Sequence, residues 1–191
     1  MCCLINASTF IFPPTGAEPP AGVSLLIPQP TEPRRFDMDL NFLKSLYHAH
    51  IFHIARIKGW AIDGEGVPDY RSWLRAEVYL RLDLLIAELH QSLPTYQGIP
   101  EGRAAVNYLV SSRTECSPSE AAQLSFSEAL FALRSDLEAV NIPQELLAYP
   151  PHVLDALHNL QSTQHVQFPP CSEDEWDQSY LKKYQEMYKP R

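Results

Sequence analysis

Long apolar runs are missing from this 191-residue chain. No stretch of about 18 apolar residues occurs, so no spanning helix is expected. Glycine is sparse and scattered: Gly-x-Gly-x-x-Gly and Walker patterns are absent, and Gly64-Glu65-Gly66 reads as a plain turn, so no phosphate-cradling loop is expected. Cysteine is limited to Cys2, Cys3, Cys116 and Cys171. No C-x-x-C occurs, which argues against a zinc site, and the pattern does not suit a disulfide framework; free thiols in a reducing compartment are the expectation. Positive charge is also short. Fifteen Lys and Arg face 23 Asp and Glu, for a net charge of −8. The adjacent basic pairs, Arg34-Arg35 and Lys182-Lys183, make no stripe, which argues against nucleic acid as a partner. The start Met1-Cys2-Cys3-Leu4-Ile5 has no basic segment before its apolar residues, so a signal peptide is not expected and a cytoplasmic or nuclear location is. Cys2 and Cys3 could be acylated, but no polybasic patch stands beside them.

Apolar residues make up 45% of the chain, enough for a sizeable core. Their spacing predicts an all-α fold: a compact bundle of five to six helices, with an extended proline-rich N-terminal arm and an aromatic C-terminal helix. The arm is read over 1–35. There Pro13-Pro14, Pro19-Pro20, Pro28, Pro30 and Pro33 forbid a helix and deny a central strand its donors. The bundle is read over 36–163, and an irregular linker with the last helix over 164–191.

In the bundle, Phe36, Leu40, Leu43, Tyr47, His50, Ile54, Ile57 and Ala61 recur at helical steps, predicting a helix over about 37–58 that ends at Gly59. A second helix, 69–92, carries two apolar bands separated by polar strips. Glu77, Arg81 and Glu88 form one strip; Ser72, Arg75, Asp83 and His90 form the other. A helix apolar on two sides is expected between neighbours. Further helices are read over 101–112, 118–141 and 151–161. Ser117-Pro118-Ser119-Glu120 is a capping box for the one over 118–141, and Ser172-Glu173-Asp174-Glu175 a second box that opens a helix running to about Tyr188.

Two functional readings follow. In the first, the chain is a non-enzymatic protein-interaction or scaffold protein, bound to a protein partner or to itself and needing no cofactor. Trp176, Tyr180, Leu181, Tyr184, Met187 and Tyr188 then supply aromatic and apolar anchors. Leu124 and Phe131, opposite the main stripe of their helix, add a second contact face. The alternative is a small helical enzyme or ligand carrier with a polar pocket between the first two helices. His48 and His50 point about 160° apart on a helix, whereas His50 and His53 can lie side by side. Glu77 or Asp83 would complete a metal set with those two, and His50, Arg81 and Glu88 would line the pocket. Glu-x-x-His and His-Glu-x-x-His are absent, and Cys116 has no histidine beside it in sequence.

Overall fold

A computed structural model describes residues 39–62, 66–93, 98, 100–162 and 170–188. Every described residue lies in one compact unit. The arm read over 1–35 is outside the described residues. What is described is all-α, with eight α-helices.

Helix α1 (Leu40–Lys58) starts where the Asp39 carboxylate accepts a hydrogen bond from the Asn41 amide at 2.9 Å. It stops at Gly59, whose φ of 65° is the left-handed conformation that glycine adopts at little cost. The loop expected next contains a small antiparallel pair, β1 (Ala61–Ile62) with β2 (Val67–Pro68), in the register Ala61 to Pro68 and Ile62 to Val67. Helix α2 (Tyr70–Ser92) follows, capped by Asp69. It touches α1, α3 (Gly102–Thr114), α6 (Arg134–Ala139) and α7 (Pro151–Ser162), so it is the central element that its two apolar bands require. Its most extensive contact is with α1, where Leu46, Tyr47, Ile51 and Ile54 are fully buried.

The single helix expected over 118–141 is three: α4 (Pro118–Gln123), α5 (Phe126–Ala132) and α6. The Ser117 capping box forms as read, but a second box forms behind it. The Ser125 hydroxyl accepts from the Glu128 amide at 3.2 Å, and the Glu128 carboxylate accepts from the Ser125 amide at 2.7 Å. Once Ser125 caps a new helix, α4 must end at Leu124, whose carbonyl accepts from Arg103. The break resets the phase, so Ala121 is buried and the expected Ala122 is exposed. From Phe126 onward the stripe holds, because the kink at Leu133 keeps the bonds from Leu133 N to Ala129 O and from Leu137 N to Leu133 O. Phe126, Ala129, Leu133, Leu137 and Val140 are all buried.

Ser125→Ala should therefore destabilise the fold by about 1 kcal/mol in urea unfolding. The same box carries an acid dependence. Hydrogen bonds from the Ser125 hydroxyl and amide hold the Glu128 carboxyl below its ordinary value. Its contribution is present above the unfolded value of about 4.3 and is lost as pH falls through the depressed folded one. In Ser125→Ala that share of the acid loss should be missing.

The last expected helix is also corrected. Ser172 and Glu175 do form a capping box, but it opens only a 3-10 turn, Glu173–Glu175. The chain then breaks at Trp176. Helix α8 (Ser179–Met187) restarts where Asp177 accepts from the Ser179 amide at 3.0 Å. Both pieces pack against α1.

Candidate functional site

The densest polar chemistry lies where α1, α2 and the turn before α8 meet. Stepping along α2 by three and four residues puts Ser72, Arg75, Tyr79 and Asp83 on one side, and all four are buried. Two residues of the C-terminal segment plug into this side. The Glu175 carboxylate, 0% exposed, accepts from Arg75 Nη1 at 3.1 Å and from the Tyr79 hydroxyl at 3.0 Å through Oε2. Its Oε1 accepts from the Ser172 amide and hydroxyl, with Lys58 Nζ 3.2 Å away. One turn along α2, Asp83 Oδ1 accepts from the Trp176 indole N–H at 2.8 Å, and Oδ2 lies 2.8 Å from His50 Nε2. The Trp176 ring stacks on Phe126, centroids 5.7 Å apart.

This burial has electrostatic consequences. Desolvation, with Cys171 and the Glu175 carboxylate adding to it, pushes the Tyr79 phenol far above its ordinary value, so it stays a donor. Desolvation does the same to Tyr47, helped by Tyr149 and Glu77. A charged carboxylate in such a place must be fully hydrogen-bonded or it costs several kcal/mol. Glu175 meets that condition with four residues.

The metal set His50, His53, Glu77 and Asp83 does not converge. His50 and Asp83 meet. The His53 ring instead lies 2.9 Å from the Asp174 carbonyl oxygen, and Glu77 accepts from Arg81 at 2.7 Å and from the Tyr149 hydroxyl at 2.8 Å. Among the described residues no cluster of three or more His, Cys, Asp or Glu could hold a metal ion. The imidazole of His50 has the orientation of a general base, one nitrogen on a carboxylate and Nδ1 unpartnered among the described residues. It is nevertheless fully buried, with the rings of Tyr79 and Tyr180 against it. Among the described residues no cavity brings His50, Arg81 and Glu88 together. Arg81 turns to the end of α6, where its Nη1 donates to the carbonyls of Leu137 and Val140 and satisfies a helix terminus. Glu88 is half-buried further along α2.

The contact residues sort into two groups. Trp176 and Leu181 are buried within this chain, and Tyr180, Tyr184 and Tyr188 are half-buried, Tyr188 through a 2.8 Å bond between its hydroxyl and Ser45 Oγ. Met187 and Phe131 remain outside, 62% and 75% exposed; Leu124 is half-buried. Phe131 stands on a groove of about 530 Å³ between α2, α5 and α6, with Val78, Leu130 and Leu137 in its lining and Arg81 and Arg134 beside them. Phe52, 58% exposed, shares a smaller hollow of about 280 Å³ with Tyr180 and Tyr184.

Sequence reasoning missed Arg75, Tyr79 and Lys58 as a set, and it assigned Glu175 only to a cap. The available signal was ionisable and phenolic residues spaced three and four apart on a helix with apolar bands on both sides. Comparison of the chain with protein-family models, with curated proteins and with solved structures finds no match.

Proposed function

We propose that this chain is a non-enzymatic helical interaction protein, and that it grips a protein partner through the groove between α2, α5 and α6. Phe131 carries the reading. A phenylalanine left in water forgoes about 1.5–3 kcal/mol of burial, and this one is 75% exposed at the edge of an apolar recess. Large aromatics next to a preformed recess are the anchors that dominate interface energies. Arg81 and Arg134 flank the recess, each already bonded to a glutamate four residues away, Glu77 or Glu138. The rim is thus polar and internally neutralised, which suits an apolar segment better than a charged one. Phe52 with Tyr184, and Met187, supply a second and smaller contact area on α1 and α8. The acidic net charge supports a protein rather than a polyanion as the partner.

The test is Phe131→Asp in the full chain. Its unfolding free energy should stay within about 0.5 kcal/mol of the parent, as for other exposed positions. Cross-linking with mass spectrometry on extract-incubated protein should then lose, by at least about tenfold, those adducts that map to α5 and α6. Leu154→Asp, at another exposed apolar position, on α7, should keep them. Equal adduct yields from Phe131→Asp and the parent would sink the reading.

A further inference from the structure

A cleft of about 820 Å³ opens between α2, the start of α3 and α8, and it shares no lining residue with the Phe131 groove. That is the size of a small-molecule site. We propose that it binds a short peptide with both ends free, a small zwitterion rich in amide groups. The floor is apolar: Ile86, Trp176 and Leu181 are buried there. The carboxylate among them, Asp83, already accepts from the Trp176 indole and lies against His50. His90 is engaged as well, its Nε2 2.9 Å from the Pro100 carbonyl oxygen. The walls differ. Glu101, Gln178, Lys182, Gln185 and Glu186 line the cleft, and none of these five side chains is hydrogen-bonded or ion-paired among the described residues. Beside the Phe131 groove, charged neighbours four apart do pair, as Arg134 does with Glu138. Lys182 and Glu186 stand at the same spacing and in the same order on α8, yet form no such pair.

The signs decide the ligand. Lys182 and Lys183 bring positive charge to the lining, and Glu101 and Glu186 bring as much negative charge. A pure anion or a pure cation meets repulsion from one of these pairs. A molecule with one charge of each sign at its ends meets attraction from both. Glu101, at the start of α3, takes the ammonium, and Lys182, on α8, takes the carboxylate. Gln178 and Gln185 each offer an amide donor and acceptor, the match for a peptide group. Ile86, Trp176 and Leu181 give an apolar side chain a surface to rest on. Gly102 shapes one wall. Its φ of 54° is left-handed, and a side chain there would collide with Gln178. Glycine is therefore what lets Gln178 lie against the start of α3. This inference stands apart from the reading of the Phe131 groove.

The experiment is equilibrium dialysis of the full chain against a mixture of synthetic tripeptides with free ends, read by mass spectrometry. Peptides with an apolar residue should be retained saturably. The same mixture acetylated at the amino end, or amidated at the carboxyl end, should be retained at least about tenfold more weakly. Glu101→Lys and Lys182→Glu, both at exposed positions, should each weaken retention of the free peptides by at least about tenfold. Circular dichroism checks that each variant keeps the parent's helix content. Lys44→Glu, an exposed charge reversal on α1 outside the cleft, should retain the peptides as the parent does, and so should Phe131→Asp. The proposal is overturned if no free-ended peptide is retained, if capped peptides are held as well as free ones, or if either cleft variant binds like the parent. Loss of retention in Phe131→Asp would assign the peptides to the other groove and overturn it as well.

Discussion

Glu175→Ala should lower the unfolding free energy by about 3–5 kcal/mol, the cost of removing one partner from a buried ion pair. The reason lies in what remains. Arg75 is buried, and a guanidinium there costs free energy when one of its acceptors is removed. Without the carboxylate, its guanidinium loses the Nη1 bond, and the Tyr79 hydroxyl loses its acceptor. Lys58, about a quarter exposed, can swing to water and adds little. The 3-10 turn also loses its cap, because Glu175 accepts from the Ser172 amide at 3.1 Å. Glu173→Ala is the matched control. It lies two residues away in the same turn and is exposed, so it should change stability by no more than about 0.5 kcal/mol. A compensating pair sharpens the point. Replacing Arg75 with Met and Glu175 with Leu together should recover much of the loss, since both members of the buried ion pair are then apolar. Urea unfolding curves with a common slope would report all three variants. A loss below about 1 kcal/mol for Glu175→Ala would mean that water reaches the carboxylate and that the segment is not seated as described.

The uneven legibility of this fold has a physical cause. Features set by neighbours in sequence were readable: the stripe of α1 from Leu43 to Ile54 and its stop at Gly59, though Ile57 and Ala61 at its end are exposed, the two-sided burial of α2, and the Ser117 and Ser172 boxes. The Ser125 box was equally local, since Ser-x-x-Glu stands in plain sight, but Ala122 stands four residues before Phe126, so the apolar spacing continues across it. Periodicity reads spacing alone and is blind to a break that leaves the spacing unchanged while it shifts burial from Ala122 to Ala121. The site was harder for a different reason. The two polar strips of α2 look alike in sequence. Which one becomes the dry seam is decided by Glu175 and Trp176, about a hundred residues downstream. Pairing at that separation leaves no trace in local spacing. For the same reason Trp176 and Leu181 read as free anchors, although their partners lie in the same chain.

The bond between Asp83 and Trp176 should show up as coupling rather than as two independent losses. Asp83→Ala strips an acceptor from two buried donors at once, the Trp176 indole and His50. Unsatisfied buried groups cost about 1–3 kcal/mol each, so a loss near 3 kcal/mol or more is expected. Trp176→Phe keeps a ring against Phe126 but removes the N–H, leaving Asp83 with His50 as its partner. Its loss should be nearer 1–2 kcal/mol, combining one hydrogen bond with a modest decrease in buried area. If the two side chains act through their mutual bond, the double variant should be more stable than the sum of the single losses implies, by about 0.5–3 kcal/mol. The orphaned indole created by Asp83→Ala is absent once Trp176 is Phe, so that part of the penalty is not incurred twice. A third residue tests whether His50 belongs to the same unit. Since Asp83 Oδ2 serves His50 and Oδ1 serves Trp176, His50→Ala should couple strongly to Asp83→Ala and only weakly to Trp176→Phe. Simple additivity between Asp83→Ala and Trp176→Phe, measured by urea unfolding of all variants, would show that the indole is held by its stacking on Phe126 and not by the carboxylate.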